Sequence, residues 1–456
     1  IDTEVYKDYF LLCAKQLSDG KVRYFELCPG VELEHKAIAS MMRSQTTISF
    51  NGLNYDLPII TAALLGWNNP AIKRLSDKII KSGYPSWKVC RDEHIEVPKS
   101  WDHIDLIEVS PGRASLKIYG GRMHAPKLQD LPIAPEDSIE ISLRSIMREY
   151  CINDLDTTEM LYRRLEKAIG LRAEMSQQYG MDLRSKSDAQ IAETLIKSEL
   201  SILTGKDYHA PALADNYTFK YIDPQIITFK TPQLKTVFRA ILSELFCMGA
   251  TGSVVMPAWL RNTKIEIGRA SYQMGVGGLH SCESAQFIRC AQDEVLSDWD
   301  VASYYPNIIL QQRLAPKSLG APFLKVYRSI VERRLAAKKR GDSVAADTLK
   351  IAVNGSFGKL GSKYSALYAP DLLIQTTLTG QLALLMLIER LDGAGVRVVS
   401  ANTDGIVIHH KKHLADTVQQ IMWDWMLDTS YPLERTDYLA IASRDVNNYI
   451  AVKHDG

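Results

Sequence analysis

Hydrophobic and polar residues alternate along the first third of the chain in a way that predicts short strands between amphipathic helices. Segments 22–27 and 46–50 have the two-residue period of strands. Segment 142–169 has helical spacing, with Ser142 as a candidate cap and Gly170 as its expected stop. This alternation predicts a mixed α/β domain at the start of the chain.

The second half of the chain reads as further strands and longer helices. An apolar run from Val295 leads to Asp300, and a helix start follows. Helices are predicted at 327–340, 345–355 and 376–393, and β-rich runs at 396–401 and 406–410. The tetrad Asn402-Thr-Asp-Gly405 between those two runs predicts a hairpin with a tight tip. Region 205–265 carries no motif and reads as a structural connection.

The amino-acid composition indicates a globular protein but does not identify its function. The 456 residues are 46% hydrophobic and 23% charged, which is ordinary for a globular protein of about two to four domains. Apolar runs such as 382–388 are too short to span a bilayer, and seven scattered cysteines favour a reducing compartment. With a net charge of +1, nucleic-acid binding would have to rest on local patches.

Acidic residues in the first domain form a first candidate site. Asp2 and Glu4 project from one face if their segment is a strand, and Tyr150 and Asp154 lie one helical turn apart. Asp56 follows the turn-like segment 51–55. Carboxylates on separate elements repel one another unless a divalent cation binds between them. Two such ions can hold a phosphodiester and activate water, which a tyrosine hydroxyl would orient.

A second candidate site combines two aspartates that are far apart in sequence. Asp300 closes a strand and Asp404 lies at the hairpin tip, so adjacent strands could bring them together. The simpler interpretations are that Asp300 precedes a helix as a cap and that Asp404 belongs to a common Asp-Gly turn. Ser303 is a candidate cap of the following helix, whose first turn tolerates Pro306.

A basic helix lies between the two aspartates. Segment 325–341 contains seven basic residues and one acidic residue, a pattern that usually marks a solvated helix face. Arg334 and Lys338 are one turn apart, and Lys350 on the next helix can face them. Such a face suits a nucleoside triphosphate, whereas the chain has no Gly-rich phosphate loop of the P-loop type.

Taken in order, these segments resemble the motifs of family B DNA polymerases with a DEDDy-type 3′→5′ proofreading exonuclease, of bacteriophage type. The matching segments are Asp2-Thr-Glu4, Asn51…Tyr55-Asp56, Tyr150-Cys-Ile-Asn-Asp154, Gly277-Gly278, Asp300-Val-Ala-Ser-Tyr-Tyr-Pro306, Lys350-Ile-Ala-Val-Asn-Gly-Ser-Phe-Gly358 and Ala401-Asn-Thr-Asp-Gly405. The resemblance runs from residue 2 to about residue 450 in family order.

The resemblance implies an α/β and α+β multidomain fold, with an RNase H-like exonuclease domain followed by a right-hand polymerase palm and short helical fingers. The implied bounds are 1–175 for the exonuclease, 176–285 for a connecting region and the start of the palm, 286–324 for the palm with motif A, 325–359 for the fingers with motif B, and 360–456 for the palm with motif C. No room is left for a thumb, so we expect the thumb to be absent or truncated here and the native protein to be longer.

The resemblance also assigns roles to residues and implies two Mg²⁺ ions per active site, with Mn²⁺ as an alternative. Polymerase metal ligands would be Asp300 and Asp404, and exonuclease metal ligands would be Asp2, Glu4, Asp56 and Asp154, with Tyr150 positioning water. The incoming nucleotide would contact Tyr305, Arg334, Lys338, Lys350 and Asn354, with Tyr305 excluding a 2′-hydroxyl. DNA contacts would include Asn51, Gly277, Gly278, Phe357 and Tyr449.

Several positions depart from the family pattern. Asn402 replaces the first acid of motif C, and we expect polymerisation to survive because Asp404 remains. Phe357 replaces a tyrosine, and Gly355 breaks the usual Asn-Ser pair, which predicts a looser backbone there. Only Tyr449 remains of a basic motif that contacts the primer.

The expected function is template-directed DNA synthesis with 3′→5′ proofreading, in viral DNA replication. Expected partners are primer–template DNA and deoxynucleoside triphosphates, with other replisome proteins as further candidates; we expect a monomer in the cytoplasm, that of the host if phage-encoded, with no membrane association. Two alternatives remain open. One is an exonuclease with an impaired polymerase half, suggested by Asn402 and the missing thumb. The other is a catalytically silent replication scaffold, which the retained acids argue against.

Overall fold

The computed structural model describes residues 1–112, 114–214 and 216–454, and the chain divides into two compact units, Ile1–Ser187 and Asp188–Gly456. It is a mixed α/β structure of more than one domain, as the sequence predicted. The domain bounds implied by the resemblance stay predictions.

The first unit combines a three-stranded antiparallel sheet in the order β1-β2-β3, a parallel pair β4-β5, and six helices in its described residues. The strands are β1 Asp2–Val5, β2 Phe10–Lys15, β3 Val22–Leu27, β4 Thr47–Ser49 and β5 His103–Asp105. The helices are α1 His35–Ser44, α2 Asp56–Leu64, α3 Asn69–Lys81, α4 Ser86–Asp92, α5 Leu116–Arg122 and α6 Arg144–Tyr179. Apolar side chains of the sheet and of α1 to α4 form its largest core cluster.

Helix α6 is longer than its sequence pattern predicted. It spans 36 residues, begins at Arg144 after a 3₁₀ turn and continues through Gly170 to Tyr179. Ser142 lies in that 3₁₀ turn, so the predicted cap is wrong, and the stop is Gly180, whose φ of 64° closes the helix in the left-handed region. Gly170 is tolerated because packing of the buried helix face outweighs the cost of about 1 kcal/mol for a mid-helix glycine.

His103 gives the first unit a measurable pH dependence. Its ring nitrogens lie 2.8 Å and 3.0 Å from the hydroxyls of Thr47 and Ser49, and the residue is 6% exposed. Burial lowers the pKa of His103 from 6.5 to about 4. Between these values the unfolded chain binds a proton that the folded chain does not, so stability falls as pH drops, by up to about 3 kcal/mol.

We therefore expect wild-type protein to lose more unfolding free energy than a His103→Gln variant between pH 7 and pH 4. The comparison must be made between variants, because burial raises the pKa of Asp56 to about 6, and its protonation stabilises the fold over the lower part of the same range. Urea unfolding followed in both proteins measures the difference. Equal pH slopes would show that His103 titrates normally.

The second unit is organised around a nine-stranded antiparallel sheet. Its path is β12-β16-β13-β15-β14-β11-β10-β9, and β17 pairs with β16. The strands of this unit are β6 Thr218–Phe219, β7 Phe246–Met248, β8 Val254–Val255, β9 Lys264–Ile267, β10 Ala270–Met274, β11 Leu279–Ser281, β12 Gln286–Arg289, β13 Glu294–Val301, β14 Arg397–Asn402, β15 Gly405–Lys411, β16 Leu433–Asp445 and β17 Asn448–Lys453. The predicted hairpin with Asn402–Gly405 at its tip is the β14–β15 pair and is confirmed.

The helices of the second unit include the predicted antiparallel pair. They are α7 Asp188–Thr204, α8 Pro232–Ser243, α9 Ala258–Asn262, α10 Tyr304–Gln311, α11 Ala321–Arg340, α12 Ser343–Lys359, α13 Pro370–Gly393 and α14 Ala415–Thr429. Helix α11 ends at Arg340 and is followed by Gly341, whose φ of 73° is left-handed. The Asp342 side chain caps α12 by accepting a hydrogen bond from the Ala345 amide at 3.0 Å.

Helix α13 is the central core element of this unit. By length and composition it could cross a membrane, but 83% of its most apolar window is buried inside the protein, which is typical of a core helix. It is longer than the apolar run 382–388 on which the sequence estimate was based. Its Glu389 carboxylate accepts hydrogen bonds from the amides of Lys230 and Thr231, at 2.8 Å and 2.7 Å, and so fixes part of the motif-free region 205–265.

Candidate functional site

In the first unit, the acids near the start of the chain lie close together. Asp2 and Glu4 occupy alternate positions of β1, which places their side chains on one face. Ligand atoms of Asp2, Glu4 and Cys151 lie within 4.8 Å of one another, and the Cys151 thiol donates to Asp2 Oδ2 at 3.3 Å. Cys151 escaped sequence reasoning because a contact across 149 positions leaves no local signal.

Asp56 begins helix α2 and is 3% exposed. The Thr3 hydroxyl donates to its Oδ1 at 2.6 Å, which ties α2 to β1 beside Asp2 and Glu4. The loop before it is fixed by Asp105 at the end of β5, which accepts hydrogen bonds from the amides of Asn51 at 2.8 Å and Leu53 at 2.9 Å. Asn51 has a left-handed backbone, with φ of 69°, and Asp105 holds it in place through its amide. Sequence reasoning missed Asp105, a buried carboxylate 54 positions from Asn51.

Tyr150 and Asp154 complete this cluster from helix α6, where the two residues lie one turn apart and the charge of Asp154 acts on the Tyr150 hydroxyl. The five residues interact electrostatically: burial, followed by the charges of Asp56 and Asp154, raises the pKa of Asp2 well above its usual value. Burial and the charge of Asp2 do the same to the pKa of Glu4. Buried carboxylates with raised pKa values gain from a bound divalent cation, so this donor set fits Mg²⁺ or Mn²⁺.

In the second unit, Asp300 and Asp404 meet at the end of the β13–β15 pair. Asp300 pairs directly with Gly405, and the Val301 amide donates to the Asp404 carbonyl at 2.8 Å. The Asp300 carboxylate lies over Gly405, where a Cβ would collide with its Oδ1. A Cβ at this position would therefore force the Asp300 carboxylate to move. The sequence-predicted pair is brought together.

Both carboxylates line a cavity of about 130 Å³. Other polar residues of its lining are Glu283, Asp298, Ser400, Asn402, Ser443 and Tyr449. Burial, followed by the charges of Asp298, Asp404 and Glu434, raises the pKa of Asp300 to about 6, and burial raises the pKa of Asp404. Oxygen donors of this number and charge fit a hard divalent cation such as Mg²⁺.

Tyr305 lies on helix α10, five residues after Asp300, and two contacts fix its side chain. Its ring centroid is 4.2 Å from that of Phe357 on α12, and its hydroxyl donates to the Gly277 carbonyl. The preceding Tyr304 is instead a core residue, 3% exposed, whose hydroxyl donates to the Gly380 carbonyl at 2.6 Å. Phe357 therefore keeps the ring contact that its position needs, although it lacks the usual hydroxyl.

The paired glycines lie against the motif C turn. A Cβ at Gly278 would come within 2.9 Å of the Thr403 Cα, and the Thr403 amide donates to the Leu279 carbonyl at 2.8 Å. The neighbouring Gly275 is fixed by the Gln381 side chain, which both accepts from its amide at 2.9 Å and donates to its carbonyl at 2.7 Å. The segment that contains Gly277 and Gly278 thus contacts both the Tyr305 side chain and the turn that carries Asp404.

Ser303 occupies the N-cap position of helix α10, but its side chain makes no capping hydrogen bond, so the predicted side-chain cap is wrong. Its backbone is in the left-handed region, with φ of 49°, and its hydroxyl accepts a hydrogen bond from Arg334 at 2.9 Å. Arg334 thereby links the basic face of α11 to the segment that follows Asp300. Lys338 and Lys350 are exposed, as a triphosphate-binding role would require.

Motif B lies within the continuous helix α12, so the looser backbone predicted at Gly355 is also wrong. A Cβ at Gly355 would collide with the Asp188 carbonyl at the start of α7, so glycine here allows two helices to approach closely. Asn354, one residue earlier, is exposed. The sequence contained no sign of this contact, because the partner helix is more than a hundred residues away.

Asn402, which stands where the resemblance expects an acid, has structural contacts of its own. Its side-chain amide donates to the Val446 carbonyl at 3.4 Å and to Asn447 Oδ1 at 3.5 Å, in the turn between β16 and β17. A carboxylate could not donate these bonds. Tyr449 follows this turn and is 49% exposed at the cavity.

Comparison with solved structures gives a distant match over the whole chain. The structure is similar to that of the family B DNA polymerase from the hyperthermophilic archaeon Pyrobaculum calidifontis, with a TM-score of 0.51 and 16% sequence identity. The alignment covers 100% of this chain and 58% of that chain, so this chain spans little more than half the length of the polymerase. At this identity the likeness establishes a polymerase-like fold. The sequence matches no protein-family model and no curated protein.

Proposed function

We propose that this protein is a template-directed DNA polymerase with a 3′→5′ proofreading exonuclease. The observation that carries the proposal is the meeting of Asp300 and Asp404 in one cavity, on paired strands. The polymerase-like fold independently supports assignment to the DNA polymerases, since that similarity depends on the course of the backbone and not on these two aspartates. A role in phage DNA replication stays a prediction.

In the proposed polymerase site, Asp300 and Asp404 would hold two Mg²⁺ ions, which when bound lower the pKa of the primer 3′-hydroxyl and neutralise charge on the leaving pyrophosphate. The β13–β15 pairing fixes the two carboxylates before any substrate binds. Such preorganisation is the main contribution a protein makes to phosphoryl transfer. Lys338, Lys350 and Arg334 would bind the triphosphate from the α11–α12 pair.

Proofreading is proposed for the cluster in the first unit. Asp2, Glu4, Asp56 and Asp154 supply acidic oxygens from three separate elements, and Tyr150 lies one helical turn from Asp154. This hydroxyl would orient the water that attacks the terminal phosphodiester. The acidic cluster of the first unit is not expected in a silent scaffold, because Asp56 is buried and its neighbours are partly buried, and uncompensated carboxylates removed from water destabilise a fold.

One assay tests the whole proposal. A 5′-labelled primer annealed to a longer template is incubated with the protein and Mg²⁺, with and without deoxynucleoside triphosphates. We expect lengthening in their presence and shortening in their absence. Shortening under both conditions would favour the exonuclease with an impaired polymerase half, and an intact primer under both would favour the scaffold.

Tyr305 is predicted to select deoxynucleotides through its ring. A Tyr305→Val variant should raise the ratio of ribonucleotide to deoxynucleotide incorporation at least about tenfold, because the smaller side chain leaves room for a 2′-hydroxyl. Tyr305→Phe keeps the ring against Phe357 and loses only the hydroxyl bond to Gly277, so it should remain selective.

The measurement is single-nucleotide extension with matched ribo- and deoxynucleotides. Tyr364→Val removes a tyrosine ring that is 71% exposed in the same unit and serves as the control. An unchanged ratio in Tyr305→Val would show that another group excludes the 2′-hydroxyl.

A further inference from the structure

The cavity that contains Asp300 and Asp404 has more acids than the sequence motifs account for. Asp298 and Glu283 also line it, although neither belongs to a motif that the sequence revealed. Asp298 lies two residues before Asp300 on β13, and alternate residues of a strand share a face. Both side chains are therefore directed to the same side of the sheet.

Asp298 is fixed in place by a buried partner. The Tyr438 hydroxyl on β16 donates to Asp298 Oδ2 at 2.7 Å, and Tyr438 is 6% exposed. A carboxylate can accept about four hydrogen bonds or metal contacts through its two oxygens, so this bond leaves capacity for a ligand in the cavity. A tyrosine that orients a carboxylate from behind is the arrangement by which outer groups tune a metal site.

The cavity also contains buried oxygen atoms that lack partners among the described residues. Ser443 is 7% exposed, and its hydroxyl has no hydrogen-bond partner there; Glu283 Oε1 is likewise buried without one. Buried polar atoms are nearly always satisfied by protein, water or an ion. These atoms therefore indicate a polar occupant of the cavity, independently of the acidic cluster itself.

We propose that Asp298 is a positioning residue of the polymerase metal centre and supplies there the negative charge that motif C lacks at Asn402. The inference rests on the proposed function, since it concerns the same cavity. Asn402 cannot supply this charge because its side chain is a neutral amide, which donates a hydrogen bond to the Val446 carbonyl. With Asp298 on β13 in place of an acid at position 402 on β14, the centre has the same number of carboxylates, and the Asn402 amide remains a hydrogen-bond donor to the turn.

The test is the affinity of the cavity for Mn²⁺, measured by electron paramagnetic resonance on the full chain. All variants carry Asp154→Ala, which weakens the exonuclease cluster and prevents degradation of the primer. Asp300→Asn identifies the signal that belongs to the cavity. Asp298→Asn removes the charge and keeps an acceptor for Tyr438, so the fold is preserved.

The matched control is Glu434→Gln. Glu434 pairs with Asp300 across the β13–β16 ladder and its charge acts on Asp300, but it does not line the cavity. We expect Asp298→Asn to weaken Mn²⁺ binding and to raise the Mg²⁺ concentration for half-maximal extension by at least about tenfold. Glu434→Gln should change both by less than about threefold. Thermal unfolding without metal should show that Asp298→Asn is no less stable than its parent, because it relieves repulsion between acids.

The outcomes separate this inference from the proposed function. If Asp300→Asn weakens Mn²⁺ binding and Asp298→Asn acts no more strongly than Glu434→Gln, Asp298 has no part in the centre, and the polymerase proposal stands. If Asp298→Asn weakens Mn²⁺ binding in a protein that never extends a primer, the role of Asp298 in a metal centre stands, but the polymerase proposal fails and that centre has another function. Absence of any Mn²⁺ signal that depends on Asp300 overturns the inference.

Discussion

Replacing Asp404 with alanine is expected to reduce primer extension by at least about 1,000-fold and to leave primer shortening unchanged. Asp404 is the carboxylate that motif C retains, and with Asp300 it would hold the metal ions on which the reaction depends. Removing one such ligand removes stabilisation of the transition state, and about 4 kcal/mol corresponds to this loss of rate. Rapid-quench extension of a labelled primer at saturating nucleotide measures it.

Folding must be separated from chemistry in this experiment. Asp404→Asn keeps the size of the side chain at the hairpin tip and should lose extension nearly as completely. Asp437→Ala is the matched control, because Asp437 is an exposed carboxylate of the same sheet, in β16, and bonds only to Arg435 through its side chain among the described ion pairs. Extension by Asp404→Asn within tenfold of wild type would contradict the assignment of this centre.

Asn402→Asp sharpens the interpretation of motif C. It restores the family's acid but loses the donor that bonds to Val446 and Asn447. The sequence alone suggested that this position matters little, and the structure adds a reason why the amide is kept. Extension by the wild-type protein at least as fast as by Asn402→Asp would exclude the alternative in which Asn402 impairs the polymerase half.

Local sequence patterns predicted those elements whose signals lie within a few residues. The hairpin around Asp404 follows from two β-branched runs and an Asp-Gly turn, and the α11–α12 pair follows from Gly341 and Asp342 between two helical patterns. The same reasoning placed Asp2 and Glu4 on one face of a strand. Each of these inferences needed only the period of the backbone.

Contacts between distant segments could not be predicted in this way. Gly355 leaves room for the start of α7, and the Asn402 side chain contacts the β16–β17 turn. The sequence predicted a strand at Asp298 but no role for its side chain, because the hydrogen bond from Tyr438 spans 140 positions. Helix ends failed for a related reason: Ser303 and Gly170 have the residue types of a cap and a stop, but tertiary packing overrides such local preferences.

Asp154→Ala is expected to abolish primer shortening, by at least about 1,000-fold, and to leave extension intact. Asp154 would contribute an acidic ligand, and its charge acts on the neighbouring Tyr150, so its removal should affect metal binding and the orientation of water together. Tyr150→Phe, which removes only the hydroxyl, should lose about 100-fold, a typical contribution of one acid–base group.

Asp156→Ala provides a matched control for this experiment. Asp156 lies two residues further along α6, is exposed and bonds to Lys15 at 2.7 Å, outside the acidic cluster. Shortening should therefore survive in Asp156→Ala and fail in Asp154→Ala, although both variants remove one carboxylate from the same helix. If both lose shortening equally, the effect is on the helix and not on the cluster. If Asp154→Ala also loses extension, the two activities do not belong to separate sites, and the division of labour between the two acidic centres must be abandoned.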